Sequence, residues 1–456
     1  MRVLEEIAAD RAALVELDAA TGRQLMILAG KVSRPQRDEQ RRLKRAFRKR
    51  DRVEMRARDG ALVARTVNRA TRRSSAFVLP ASTAAQTEAS QRSPVQLEAP
   101  RNCYVCKTGF VDLHHFYDSL CPSCAALNWE KRHQTGNLSG RIALVTGARI
   151  KIGYQIALML LRAGARVIGT TRFAVDAAER YAREADFEHW RGRLTLHAVD
   201  LRHIPSVERL SMELSNTLPA LDFLINNAAQ TVRRPQAFYR TLMEREARLS
   251  KLPALRALIR SPGGAMILSE SSAAELAFFP PGGVDLDGQQ ADFRPDNSWR
   301  LTADRVSTEE LVEVHLINSI APFLLTSRLR GLLAKRGDRC QHVVQVSAME
   351  AQFARNKKTD KHPHTNMAKA ALNMLTRTSA VDYQQDGIFM NSVDTGWITD
   401  EDPLQHVARK QVVHDFHPPL DAVDGAARVL DPIFVGFSSG DHPWGHFFKD
   451  YKSIAW

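Results

Sequence analysis

The sequence predicts an α/β protein in which a parallel sheet is covered by helices. From Leu138 to the C-terminus, apolar strand-like runs alternate with glycine turns and helical patterns, the order expected of parallel strands joined by crossover helices. The first unit reads as a strand over 142–145, a glycine turn, a helix ending at Arg162 and a second strand over 166–170. Polar residues follow several later strands, and ligands bind at that edge of an open parallel sheet. Functional residues are therefore expected at the carboxyl ends of the strands.

Length and composition are those of a soluble globular protein with more than one domain. The 456 residues suffice for two or three domains of about 100–200 residues, and the chain is 44% hydrophobic and 25% charged. No run of about 18 apolar residues occurs, so we expect no membrane span. The first residues, MRVLEEIAADRAALVELD, carry acids and lack a continuous apolar stretch, which argues against a signal or transit peptide. We expect a cytoplasmic protein.

The positive charge is concentrated in one segment. The net charge is +13, yet residues 31–73 alone hold 17 Lys or Arg against 5 Asp or Glu. We predict a basic helical region over residues 1–73 and, from the Ser, Ala, Thr and Pro content that follows, a flexible linker over 74–100. The basic segment suits nucleic acid, an acidic partner or an anionic membrane surface. The alternative is a solvated basic helix with no partner.

Two C-x-x-C pairs separated by 14 residues predict a small metal-binding element over residues 101–135. Two turns that each present two thiolates can enclose a tetrahedral zinc ion, as in zinc ribbons, and four protein ligands make such a site structural. A disulfide or a redox dithiol remains an alternative. The expected ligands are Cys103, Cys106, Cys121 and Cys124.

A glycine turn that leads into a helix N-terminus, as in TGARIKIG, favours binding of a pyrophosphate. Asp200, Asn226 and Ser347 each follow a later predicted strand. These motifs, together with an Asn in VHLINSIAPF, Lys369 in MAKAALNML and the segment VDTGW, resemble the short-chain dehydrogenase/reductase superfamily over about residues 138–456. The resemblance implies a Rossmann-type doubly wound sheet and an oxidoreductase that uses a nicotinamide cofactor on a carbonyl or alcohol substrate.

The resemblance also implies roles for individual residues. Ser347 would hold the substrate oxygen, Asn318 would anchor a relay water and Lys369 would bind the nicotinamide ribose. The residues expected along the cofactor are Gly147, Arg149, Lys151, Ile152, Gly153, Arg172, Asp200, Leu201, Asn226, Ala228, Lys369, Gly396 and Ile398.

The second strand ends in GTTRF, where an enzyme selective for NAD would be expected to offer a carboxylate to the ribose. Arg172 stands there instead, and an arginine pairs well with a 2′-phosphate. Arg149 and Lys151 add positive charge nearby. We therefore expect NADP(H) as the cofactor. Lys151 also replaces the middle glycine of the family's turn, so the turn either follows a different path or sets a cation against the phosphates.

Thr365 lies four residues before Lys369, at the position where the family has its tyrosine acid. A threonine hydroxyl can donate a hydrogen bond but is a poor general acid. His362, His364 or Glu350 could supply the proton, although each histidine is expected to be a solvated loop residue. Lys369 with a lowered pKa is another candidate. The remaining alternative is a catalytically silent NADP(H)-binding sensor or scaffold.

Asn226 and Asn318 are separated by 92 residues, so most of 231–300 is an insertion relative to the family. Its first part reads as helical, with aromatic and apolar positions suited to packing over a pocket. A cover for the active site, a contact in a homo-oligomer and a decoration of the rim are equally compatible with this pattern.

Overall fold

In a computed structural model of the chain, the described residues are 2–71, 95–261, 276–280, 282–285, 288–354 and 358–456. Residues 72–94, which include most of the linker predicted over 74–100, and part of the insertion fall outside them. The chain divides into two compact units, Met1–Ala64 with Leu97–Pro100, and Arg65–Gln96 with Arg101–Trp456. None of the described helices combines the length and apolar character needed to cross a bilayer.

The first unit is helical, as predicted for the N-terminal region. It contains α1 (Arg2–Ala9), a 3₁₀ turn (Arg11–Glu16), α2 (Ala19–Ser33) and α3 (Arg37–Val63). The side chain of Asp18 caps α2 by accepting from the N–H groups of Ala20 and Thr21. Within this unit Asp59 accepts from the N–H groups of Glu98 and Ala99, which ties α3 to the segment Leu97–Pro100.

The second unit begins with α4 (Val67–Thr71) and contains most of an element built from β1 (Val95–Asn102), β2 (Gly109–Leu113) and α5 (Pro122–Arg132). Residues Leu97–Pro100 of β1 belong to the first unit. The strands β1 and β2 pair antiparallel. β1 starts at Val95, so the linker predicted over 74–100 extends too far. The alternation of Val95, Leu97 and Ala99 already has the period of a strand, and Leu97 is buried.

The main sheet has nine strands in the order β11-β10-β9-β8-β6-β3-β4-β5-β7. All neighbours pair parallel except β10 and β11. This confirms the α/β class and the doubly wound sheet, because the chain runs outward in both directions from β3. The strands are β3 (Ile142–Thr146), β4 (Arg166–Thr171), β5 (Leu194–Ala198), β6 (Phe223–Asn226), β7 (Ile259–Ser261), β8 (Gln341–Ser347), β9 (Ile388–Asp394), β10 (Phe447–Lys449) and β11 (Lys452–Ile454).

Helices cover both faces of this sheet, so its central strands are buried throughout. In β3 the side chains alternate between two cores: Ala143 and Val145 join one apolar cluster, while Ile142 and Leu144 join the other. The helices are α6 (Lys151–Arg162), α7 (Ala174–Ala182), α8 (Phe187–Trp190), α9 (Ile204–Thr217), α10 (Gln236–Leu249), α11 (Pro253–Arg256), α12 (Thr308–His315), α13 (Ala321–Arg328), α14 (Arg330–Ala334), α15 (Pro363–Gln385), α16 (Leu404–His414) and α17 (Ala422–Ser439).

Candidate functional site

The turn between β3 and α6 is packed tightly against the segment that follows β6. Gly147 has φ +71, and a Cβ on Gly153 would lie 2.2 Å from the carbonyl oxygen of Gly147 and 2.4 Å from Nδ2 of Asn227. Asn227 is itself held, because its Nδ2 donates to the carbonyl of Thr146 at 2.9 Å. The first N–H groups of α6 have no partner within the helix, and a helix N-terminus attracts phosphate. Glycine at these positions therefore lets the turn pack against the segment after β6 beside the N-terminus of α6. This turn, the candidate cofactor cradle, is compatible with a bound pyrophosphate.

Lys151 begins α6 with φ 53, the left-handed conformation that suits glycine. A non-glycine residue in this region costs roughly 1–2 kcal/mol. The turn thus adopts a conformation that favours glycine although Lys151 occupies the position. Its Nζ lies 3.7 Å from Oε1 of Glu401, so the ammonium is directed towards a carboxylate beyond β9.

The arginines expected near the adenosine end lie under residues of the 231–300 insertion. Arg172 donates from Nη2 to the hydroxyl of Tyr239 at 2.8 Å, and its guanidinium lies 4.7 Å from the centre of that ring. Arg149 is buried, with Nη1 2.8 Å from Asp176 and Nη2 3.1 Å from the Gln289 side chain. The described part of the insertion therefore covers the end of the crevice next to β4, where α10 packs on α7.

The polar residues after β5 and β6 are held by neighbouring side chains. Asp200 accepts from Nη2 of Arg202 at 2.6 Å; although burial acts to raise the pKa of Asp200, hydrogen bonds from Arg202 lower it. Leu201 packs in the apolar cluster on one face of the sheet. Asn226 donates to the side chains of Thr326 and Gln345, while its buried Oδ1 has no hydrogen-bond partner among the described residues. Ala228 donates its N–H to the hydroxyl of Thr146.

Ser347, Thr365 and Lys369 come together at the carboxyl end of β8. Lys369 donates from Nζ to the carbonyl oxygen of Val346 at 2.6 Å, and burial lowers the pKa of Lys369 to about 8. Thr365 lies one helical turn earlier on α15. Both Ser347 Oγ and Thr365 Oγ1 are buried, and neither has a hydrogen-bond partner in the described parts of the chain. Buried hydroxyl groups are rarely left unpaired in a folded protein, so these two point to a polar ligand.

Asn318 lies in a π-helical turn, Leu316–Ile320, between α12 and α13. Its Oδ1 accepts from the N–H of Gln230 at 2.7 Å, and its Nδ2 donates to the carbonyl of Gln230 at 3.0 Å. Single π turns inside helices frequently occur at functional sites. The two hydrogen bonds of Asn318 hold Gln230, two residues after the Asn226–Ala228 segment.

The expectation that His362 and His364 are solvated is wrong, because tertiary packing buries both at the start of α15. The His362 ring stacks on Trp299 with centroids 3.9 Å apart, and burial lowers its pKa. His364 is 1% exposed, and its Nε2 lies 3.5 Å from Oε1 of Glu310. Although burial acts to raise the pKa of Glu310, interaction with His364 and Ser298 lowers it. Glu350 lies in a 3₁₀ turn after β8.

Gly396 and Ile398 follow β9, which pairs with β8 so that Asp394 is opposite Ser347. Gly396 has φ +78. A Cβ on Gly425 would lie 3.0 Å from the side chain of Ile152 and 3.4 Å from that of Ile398. Ile152 and Ile398, both expected along the cofactor, therefore lie close to the same residue of α17, Gly425.

The four cysteines of the β1–β2 element form a second site. All four are free thiols, and their sulfur atoms lie within 4.8 Å of one another, with 3.6 Å between Cys106 and Cys121. A tetrahedral zinc ion with Zn–S bonds of about 2.3 Å places its sulfur ligands about 3.8 Å apart. Hydrogen bonding by Thr108 lowers the pKa of Cys106 to about 6, whereas burial raises the pKa of Cys103 and Cys124. The donor set fits a structural zinc ion.

Comparison with known proteins agrees with this architecture. Residues 141–247 match the short chain dehydrogenase family, and residues 296–417 match the family described as Enoyl-(Acyl carrier protein) reductase. An uncharacterised protein of Acanthamoeba polyphaga mimivirus is 35% identical over 369 residues, 77% of this chain and 74% of the relative. The rhamnolipids biosynthesis 3-oxoacyl-(acyl-carrier-protein) reductase of Pseudomonas aeruginosa is 31% identical over 206 residues, 43% of this chain and 77% of that enzyme. The chain belongs to the short-chain dehydrogenase/reductase superfamily of oxidoreductases.

Among solved structures, a Pseudomonas aeruginosa RhlG/NADP active-site complex resembles the chain with a TM-score of 0.46 and 20% identity, covering 68% of this chain and 95% of that one. The two family matches leave residues 248–295 unmatched between them. This gap lies within the predicted insertion.

Sequence reasoning missed several neighbours of the site. Glu310, Tyr239 and Gln289 contact predicted site residues from 54, 67 and 140 positions away in the chain. The aromatic pattern of QAFYR indicated that this helix packs against other residues, but it could not identify Arg172 as a contact. No local signal indicated Glu310 or Gln289.

Proposed function

We propose that the chain is an NADP(H)-dependent reductase or dehydrogenase that acts on a carbonyl or alcohol group. The observation that supports this most directly is the pair of buried, unpartnered hydroxyls of Ser347 and Thr365 beside Lys369. Both hydroxyls can donate to a substrate oxygen. We assign ribose binding to Lys369 and the positioning of a water to Asn318. The bound cofactor supplies or accepts the hydride.

The choice of NADP(H) is supported by the charge at the adenosine end. Arg172 follows β4, where a carboxylate would favour an unphosphorylated ribose. Its guanidinium is oriented by Tyr239 rather than by an acid. Arg149, in contrast, is buried and already paired with Asp176. Arg172 is therefore the residue assigned to the 2′-phosphate.

For the proton donor we propose His364, with Glu310 as its counter-charge. The pair is buried with 3.5 Å between His364 Nε2 and Glu310 Oε1, and neither ring nitrogen of His364 has a hydrogen-bond partner among the described residues. His362 is the matched control, since its ring is stacked on Trp299 and its Nδ1 lies 3.0 Å from Asn366. His364→Gln should reduce the rate of the chemical step at least tenfold and leave the NADPH Kd unchanged. His362→Gln should not reproduce that pattern.

The test of the proposed activity is single-turnover oxidation of bound NADPH by a panel of carbonyl compounds that includes a 3-oxoacyl thioester, the class named for the Pseudomonas relative. We expect oxidation by at least one of them and a weaker response to NADH. Tight NADPH binding with no oxidation by any member of the panel would contradict the enzyme and leave the silent sensor as the function. We also propose that the four cysteines hold one zinc ion per chain, which metal analysis of the purified protein measures directly.

We further propose that α3 binds duplex nucleic acid through an arginine face. Five exposed arginines recur at intervals of three or four residues, which places them along one side of the helix over about 22 Å. They are Arg41, Arg45, Arg48, Arg52 and Arg56.

A labelled DNA duplex titrated at several salt concentrations tests this surface. Neutralising about five phosphates predicts a slope of log K against log salt of about −4.5. Removing Arg45, Arg48 and Arg52 together should flatten the slope. The control is Arg50→Ala, because Arg50 lies on another side of α3 and pairs with Asp51 and Glu54. Binding that is absent or independent of salt would eliminate this role.

A further inference from the structure

Tyr104 of the β1–β2 element contacts the segment after β9 at residues 396–397. Tyr104 lies between the first two cysteines, in the motif CYVC. Its hydroxyl accepts a hydrogen bond from the N–H of Trp397 at 3.0 Å. A Cβ on Gly396 would lie 3.4 Å from the same hydroxyl. Trp397 stands between Gly396 and Ile398, the two residues assigned above to the cofactor.

The backbone of Tyr104 is fixed within the cysteine element. Its N–H donates to the carbonyl of Ser119 at 2.7 Å. The neighbouring N–H of Cys103 donates to the carbonyl of Thr108, and the N–H of Lys107 donates to the carbonyl of Cys103. The position of the Tyr104 ring therefore depends on the conformation of the turn that carries two of the four thiols.

The same element also holds the start of α17. Arg132 makes a bidentate pair with Asp421, at 2.6 and 2.8 Å, and both residues are at most 7% exposed. Tyr117 donates to Asp424 at 2.5 Å. Leu420, two residues before α17, donates its N–H to the carbonyl of Trp397 at 3.4 Å. The segment after β9 is thus bonded on one side to Tyr104 and on the other to a helix start that the cysteine element anchors.

We infer that Tyr104 is a positioning residue that couples the cysteine-held turn to the cofactor crevice. The hydroxyl of Tyr104 holds the backbone of Trp397, which sets where Gly396 and Ile398 lie against the nicotinamide end of the cofactor. A metal bound by the four thiols fixes the turn and, through it, this segment. Cofactor affinity accordingly depends on the metal site, although no cysteine reaches the crevice. The inference rests on the proposed binding of NADP(H).

The test compares Tyr104→Phe with Tyr451→Phe in the full-length, metal-loaded protein. Both substitutions remove one phenol hydroxyl, but that of Tyr451 is buried without a hydrogen-bond partner in the described structure. Tyr104→Phe should weaken NADPH binding about 3- to 10-fold, the loss of one hydrogen bond, with metal content unchanged. It should also speed hydrogen exchange of the Trp397 amide. Tyr451→Phe should change neither quantity.

Metal removal is the second test of the coupling between the cysteine site and the cofactor. A zinc chelator should reproduce the weaker NADPH binding and the faster exchange at Trp397, and added zinc should restore both. Unchanged exchange and unchanged NADPH affinity in Tyr104→Phe would overturn the coupling while leaving the proposed function intact. A wild-type chain that binds neither NADPH nor NADH would instead contradict the proposed function. If the wild-type chain binds neither dinucleotide, a change in hydrogen exchange at the Trp397 amide would show only a structural contact. That result would also overturn the coupling between the cysteine-held turn and cofactor binding.

Discussion

Gly153→Ala is the most direct perturbation of the candidate cofactor cradle. The added Cβ would lie 2.2 Å from the carbonyl oxygen of Gly147, 2.4 Å from Nδ2 of Asn227 and 2.9 Å from the carbonyl carbon of Gly147. The backbone of Gly147 cannot rotate away as a side-chain end can, and Asn227 is held by its bond to Thr146. The turn between β3 and α6 must therefore open by about 1 Å to reach ordinary contact distance.

Two opposing contributions determine the size of the effect. Overpacking of a tight site typically costs about 1–3 kcal/mol, whereas replacing glycine by alanine in a helix contributes up to about 1 kcal/mol of stabilisation. We expect a net loss of about 1–2 kcal/mol in the free energy of unfolding. We also expect a loss of NADPH affinity of at least tenfold, because the N–H groups of the first turn of α6 are displaced.

The matched control is Gly331→Ala in α14, where a Cβ would meet no atom within 4 Å. This variant should be stabilised by up to about 1 kcal/mol, with unchanged NADPH binding. Urea denaturation and fluorescence titration with NADPH measure both quantities. If Gly153→Ala were as stable as Gly331→Ala and bound NADPH like the wild type, the close approach of the turn to Gly147 would be refuted.

Three further results are expected. Burial lowers the pKa of Lys369 from 10.5 to about 8, so the unfolded state binds more protons than the folded state between these two pH values. The free energy of unfolding should therefore rise from about pH 8 to 10.5 and level off above. Urea titrations of Lys369→Met should lack this rise. Arg172→Ala should weaken NADPH binding about 10- to 100-fold and leave NADH binding unchanged, and equal losses for both would contradict its assignment to the 2′-phosphate. Cys121→Ser should abolish stoichiometric zinc and lower the melting temperature, whereas Cys340→Ser, outside the cluster, should do neither.

The parts of the fold that depend on local pattern could be predicted from the sequence. The expected strand at 142–145 and the helix ending at Arg162 correspond to β3 and α6, and the expected strand at 166–170 corresponds to β4. Apolar runs, glycine turns and helical periodicity all act over a few residues. The four thiols also come together as their spacing predicted, since each C-x-x-C pair needs only one turn.

The environment of the site could not be predicted, because it depends on pairs far apart in the chain. His362 and His364 lie in a polar sequence, KTDKHPHTN, that reads locally as a loop, yet Trp299 and Glu310 bury them. Periodicity reports which side of an element faces the core but not which residue of another element it meets. A charged partner such as Glu310 carries no local signal at all, because an isolated glutamate on a helix usually faces solvent.

The contacts of the insertion are also long-range, so periodicity alone could not show which part of the site it meets. Its aromatic residues indicated a covering role, and in the structure Phe238 and Tyr239 of α10 pack with Phe173, next to Arg172. The guanidinium of Arg172 lies 4.7 Å from the centre of the Tyr239 ring and 5.6 Å from that of Phe173. An arginine that is already oriented in this way loses little freedom when it binds a phosphate. We therefore propose that the described part of the insertion acts on the adenosine end, through the arginine that we assign to the 2′-phosphate. With Tyr104 at the opposite end, two elements outside the core dehydrogenase sheet would position the two halves of one dinucleotide.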